Sequence, residues 1–97
     1  MRTVKMELTY RYHKDEIEIS ETPTDTDIEF EIWISAEKHW AGIKAVQKFF
    51  EEDKVYTDVL FYAYENHHYR VIVRRDYYVA FILGLLKQHL IEAAEWV

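Results

Sequence analysis

The chain has 97 residues, 49% of them apolar and 16% aromatic, with a formal net charge of −6, two glycines, one proline and no cysteine. That is enough for one domain with a modest core, and the shortage of Gly and Pro keeps loops short. The missing cysteines exclude a disulfide framework, thiolate metal sites and a cysteine nucleophile, and the acidic balance argues against general nucleic-acid binding.

The first residues, Met-Arg-Thr-Val-Lys-Met-Glu, hold no apolar core of a signal peptide. No apolar run approaches the roughly 18 residues of a membrane span. The expectation is one soluble cytoplasmic domain over 1–97.

Residues 3–12 alternate as a strand, with Val4, Met6, Leu8, Tyr10 and Tyr12 on the inner face. His13-Lys14 then turns the chain, and Asp15 to Ser20 returns as a short acidic edge strand with Ile17 and Ile19 inward. Glu21 to Thr26 reads as a loop around Pro23, which has no N–H for a ladder. Asp27 to Ile34 is the third strand: Ile28, Phe30, Ile32 and Ile34 face in, and Trp33 faces out among acids.

Ser35 suits the N-cap of a helix over Ala36–Glu52, with Trp40, Ile43, Val46, Gln47 and Phe50 as its core stripe. A β-hairpin follows: Thr57 to Tyr64, the turn Glu65-Asn66-His67, and His68 to Arg75. Loop length decides its register. A three-residue turn sets Val59, Phe61 and Ala63 beside Val73, Val71 and Tyr69. It also sets Asp58 opposite Arg74, and leaves Leu60, Tyr62, Tyr64 and Ile72 outward with Arg70. The last element reads as a helix from Tyr77 to about Trp96, capped by Asp76, with a stripe through Val79, Ile82, Leu83, Leu86, Leu90, Ala93 and Val97.

The order β-β-β-α-β-β-α predicts an α+β two-layer sandwich: a mostly antiparallel five-stranded sheet with both helices on one face. From Asp27 onward the order is that of a ferredoxin-like fold lacking its last strand, and the N-terminal strand is available for the missing place. Element order of this kind carries no function.

Motifs for chemistry are absent from the sequence. His67-His68, with His13 and His39 apart from them, lacks metal-ligand spacing. Ser20 and Ser35 lie outside any G-x-S-x-G. With glycine only at 42 and 84, a glycine-rich phosphate loop cannot be built. The expectation is therefore no catalytic residue, no metal and no cofactor.

Charge is unevenly placed. Nine acids and no Lys or Arg occur from Asp15 to Glu37, and three arginines and no acid from Arg70 to Arg75. The acidic stretch 15–37 reads as solvated strand faces or as a surface for a basic protein. Trp33, Leu60, Tyr62, Tyr64, Arg70, Ile72 and Arg74 form the candidate binding set on an outer sheet face with no helix left to cover it. The best reading is an interaction module, a homodimer through that face. Two other readings use neighbouring residues. One is a single-strand nucleic-acid binder on the same Tyr/Arg face. The other is a small-ligand or enzyme site between sheet and helices, lined by Tyr10, Tyr12 and Trp40.

Overall fold

A computed structural model describes residues 6–55 and 58–97. Val4 and Thr57, assigned above to strands, lie outside the described residues. The elements are β1 (Leu8–Arg11), β2 (Ile17–Pro23), β3 (Asp27–Ile34), α1 (Trp40–Glu52), β4 (Val59–Tyr64), β5 (His68–Arg74), α2 (Tyr78–Lys87) and β6 (Ala93–Trp96). The fold is α+β with antiparallel sheets, and the predicted five-stranded sheet is divided. Four strands run in the order β2-β3-β5-β4, and β1 pairs with β6 in a separate ribbon.

The predicted β1–β2 hairpin does not form. β1 pairs in register with β6, Tyr10 opposite Ala94. It meets β2 through side chains: the Tyr12 hydroxyl donates to the Ile19 carbonyl (3.1 Å) and the Tyr10 hydroxyl donates to Glu21. β2 runs further than predicted, through Glu21 to Pro23, pairing with β3 from Ile17↔Ile34 to Pro23↔Ile28. Pro23 is tolerated there because β2 is an edge strand of its sheet. The place beside β3 is filled by β2, the second strand, and not by the N-terminal strand β1, which pairs with β6.

The predicted last helix is two elements. α2 stops at Lys87, His89 adopts a left-handed φ of 61°, and the chain returns as β6. The buried stripe is correspondingly Phe81, Ile82 and Leu85, while Val79 and Leu83 are exposed. Neither predicted cap forms. Ser35 Oγ donates to the carbonyls of Asp15 (3.0 Å) and Glu16 (3.2 Å), and a 3-10 turn at Glu37–His39 opens α1. Asp76 meets Arg74 at 3.6 Å.

Both helices lie on the inner face of the four-stranded sheet. Ile43, Val46 and Phe50 of α1 and the α2 stripe bury the rows Ile28, Phe30, Ile32 and Val71, Val73. Phe81 sits at the centre, its ring 4.7 Å from Phe30 and 5.8 Å from Phe50. The hairpin adopts the register set by a three-residue turn, with Val59↔Val73, Phe61↔Val71 and Ala63↔Tyr69. The inward row is covered unevenly: Val59 is buried, Phe61 half-buried and Ala63 exposed.

Glu16 fastens the entry of α1 to the β1–β2 turn. Its carboxylate accepts from Lys38 Nζ (2.7 Å) and contacts His39 Nε2 (2.9 Å). Lys38 first and His39 second hold its carboxyl down to about 2, against an ordinary 4.5. A lowered folded-state value contributes stability that is complete above the ordinary value and lost as pH falls toward the lowered one. Urea melts should therefore show a loss of stability between about pH 4.5 and 2 that shrinks in Glu16→Gln. Equal acid sensitivity of the two proteins would remove Glu16 from this role.

Candidate functional site

Alternation along β2, β3, β5 and β4 sends one set of side chains away from the helices. The registers align them in rows across the sheet: Glu18, Trp33, His68 and Tyr64; then Ser20, Glu31, Arg70 and Tyr62; then Thr22, Glu29, Ile72 and Leu60. All seven residues of the sequence-derived set lie on this face, with Arg74 at its end beside Asp58. Trp33 is 42% exposed, Leu60 47%, Tyr62 45% and Tyr64 49%. Arg70 and Ile72 are half-buried between their neighbours.

The arginines are not free. Arg70 Nη2 donates to Glu29 Oε2 at 2.9 Å, with Glu31 3.8 Å from its Nε. The bond to Glu29 pushes the Arg70 guanidinium up from its ordinary value. Arg74 Nη1 donates to Asp58 Oδ2 at 3.1 Å, which raises Arg74 in the same way. The Asp58–Arg74 pair is the one expected from the three-residue turn, and Glu29 meets Arg70 across the β3–β5 pairing. Arg70 Nε is buried without a hydrogen-bond partner.

His68, the first residue of β5 and absent from the sequence-derived set, belongs to the face. It contacts Glu31 through Nε2, stacks on Trp33 (4.8 Å, 8°) and tilts against Tyr64 (5.1 Å). Its parity with Arg70 and Ile72 is the signal that places it there.

The acids of 15–37 do not form one free surface. Glu16 is tied to the α1 entry, Glu21 points inward to Tyr10 and Tyr78, and Glu29 and Glu31 serve the sheet face. Tyr10, Tyr12 and Trp40 serve separate contacts as well. Trp40 donates to the Ile34 carbonyl (3.3 Å) and stacks on His67 (3.7 Å, 8°), while the tyrosines bridge β1 to β2. Among the described residues no three His, Asp or Glu side chains gather as a metal site, and no helix is long and apolar enough to cross a membrane. Comparison with family models, curated proteins and solved structures gives no match.

The face is an aromatic and aliphatic surface whose charges are closed within the chain. Arg70→Ala would leave Glu29 and Glu31 facing each other without a cation. Solvent-screened pairs of this kind contribute little, so the variant should stay folded and lose little stability. Its deficit against the unaltered protein should shrink as salt rises, because the lost attraction is screened. A deficit independent of salt would mean that Arg70 acts by packing its alkyl stem.

Proposed function

We propose that the chain is a small interaction module that self-associates through the outer face of its four-stranded sheet. One observation carries this reading: Trp33, Leu60, Tyr62 and Tyr64 stand close to half exposed on a face that neither helix covers. Arg70, Arg74, Glu29 and Glu31 are already paired internally, so a partner need not supply counter-charges to them.

The face also complements itself. Consider a two-fold axis parallel to the strands, between β3 and β5. It sets β2 of one copy over β4 of the other. The rows then bring Tyr62 onto Ser20, Leu60 onto Thr22 and the Tyr64 hydroxyl toward Glu18. Large side chains meet short ones, and a phenol meets a carboxylate, with every contact made twice.

Magnitude decides how strong such a dimer is. Full burial of a large apolar side chain is worth about 1.5–3 kcal/mol, and these are already about half buried. Two copies of four such residues give on the order of 8 kcal/mol, within the range of about 4–15 kcal/mol that association costs. The product is a weak, concentration-dependent dimer.

Single-strand nucleic-acid binding is the lesser reading. Phosphates would have to displace Glu29 and Asp58 from the arginines, against a net charge of −6. A labelled oligonucleotide should show no binding at about 50 mM salt.

The test is sedimentation equilibrium up to about 1 mM protein, where a contact worth about 4 kcal/mol is half formed. The unaltered chain should dimerise. Tyr62→Glu, and independently Ser20→Arg, should remain folded monomers. Ala63→Pro serves as the control. The Arg74 N–H donates to the Asp58 carbonyl, so by alternation the N–H groups of Val59, Phe61 and Ala63 point away from β5. Proline at 63 therefore blocks pairing between β4 edges and spares the face. Loss of the dimer in Ala63→Pro alone would assign it to the strand edge, and a monomer throughout would end the proposal.

A further inference from the structure

On the inner side of the sheet, away from the proposed dimer face, a cleft of about 530 Å3 opens where the β1–β6 ribbon meets β2 and the start of α2. Leu8, Ile28, Val79 and Trp96 form its apolar walls, and Glu21 and Arg75 both line it. Its size lies within the range of small-molecule sites. What sets it apart is the state of Glu21 and Arg75.

Glu21 is positioned by neutral donors. The hydroxyls of Tyr10 and Tyr78 (3.0 Å) both donate to Oε2, and among the described residues no hydrogen bond reaches Oε1. Burial, reinforced by the Glu21 charge, raises both phenols above their ordinary value, so they remain protonated donors. Arg75 is positioned by neutral acceptors. Its Nε donates to the carbonyls of Thr24 (3.1 Å) and Asp25 (3.3 Å), and its Nη2 donates to Thr24. Arg11, Arg70 and Arg74 each meet a carboxylate, so Arg75 is the one arginine among the described residues outside an ion pair. Glu21 likewise meets no cation there. A third charge, Glu7, lies at the exposed rim.

The cleft thus holds an anion and a cation that are fixed by their surroundings and not by each other, among apolar lining residues. A simple cation would meet Arg75, a simple anion would meet Glu21, and a neutral ligand would leave both unanswered. We propose that the cleft binds a small zwitterion with an apolar body, of the class of an apolar α-amino acid or dipeptide. The ammonium sits on Glu21 Oε1, the carboxylate on the free edge of the Arg75 guanidinium, and the side chain against Val79 and Trp96. This reading stands independently of the self-association.

Amide chemical-shift titration of the full chain tests it with four probes: leucine, leucyl-leucine, leucinamide and N-acetylleucine. At least one of the two zwitterions should saturate at millimolar concentration or below, shifting Glu21, Arg75, Val79 and Trp96. Leucinamide and N-acetylleucine, each lacking one charge, should bind at least about tenfold more weakly. Glu21→Gln keeps an acceptor for both tyrosines and removes the charge; it and Arg75→Gln should each weaken the zwitterion by about tenfold or more. The absence of saturable shifts with both zwitterions would overturn the proposal. So would equal binding of either capped probe, and that comparison needs no variant to fold.

Discussion

The turn Glu65-Asn66-His67 is the constraint on which the arrangement of both sheet faces depends. Side chains alternate along a strand, so one residue more or less in that loop would exchange Val59 and Phe61 for Leu60 and Tyr62 in the core. The turn requires left-handed backbone at Asn66 (φ 60°) and His67 (φ 55°). Asparagine visits that region readily; histidine does so less often. His67 has a compensating contact: its ring stacks on Trp40 at 3.7 Å. That stack, together with the bond from Trp40 to the Ile34 carbonyl, joins the first turn of α1, the end of β3 and the hairpin tip at one point. The hairpin register and the seat of α1 are therefore one structural event.

Legibility in the sequence followed the range of the information needed. The hairpin register could be read because it depends on counting three residues and on sending Arg70 and Arg74 to water. The inner rows of β3 and β5 could be read for the same reason. The end of α2 could not. Ala93 and Ala94 favour helix, no Gly or Pro occurs from Gln88 to Trp96, and the residue that turns the chain is His89 in a left-handed conformation. What makes 93–96 a strand is β1, more than eighty residues earlier, pairing Ala94 with Tyr10. Strand character is local, but strand partnership is not. The same reasoning explains why β1 read correctly as a strand and wrongly as the hairpin partner of β2.

The candidate face shows this distinction in its chemistry. By sequence, acids cluster before residue 38 and arginines after residue 69, which resembles two opposed surfaces. The antiparallel pairing of β3 with β5 sets Glu31 opposite Arg70, so Arg70 meets Glu29 and Glu31, while Arg74 is met by Asp58 and Asp76 from outside the acidic run. What remains is the aromatic content of β4 and the ring stack of Trp33, His68 and Tyr64. The seven residues could be assigned to one face from alternation alone, because parity is local. The Asp58–Arg74 pair could be read with the hairpin; that Arg70 is spent on Glu29 and Glu31 could not, because it needed the register between strands about forty residues apart.

The two edges of the sheet are treated differently, and this bears on the proposed self-association. β2 carries Glu18, Glu21 and Pro23, and β1 folds over it through Tyr10 and Tyr12; charge, proline and cover are the usual guards against edge pairing. β4, Val-Leu-Phe-Tyr-Ala-Tyr, carries no charge and no proline, and its outer N–H groups face away from β5. The α1–α2 layer also stops short of it, leaving Ala63 exposed on the inner side. The unguarded side of the sheet is therefore the side that carries Leu60, Tyr62 and Tyr64. In the proposed strand-parallel two-fold arrangement, β2 of one copy covers the outward side chains of β4 of the other. That geometry closes and buries Leu60, Tyr62 and Tyr64 of both copies while the outer N–H groups of β4 stay solvated, whereas pairing β4 to β4 would satisfy those groups and leave both aromatic faces in water.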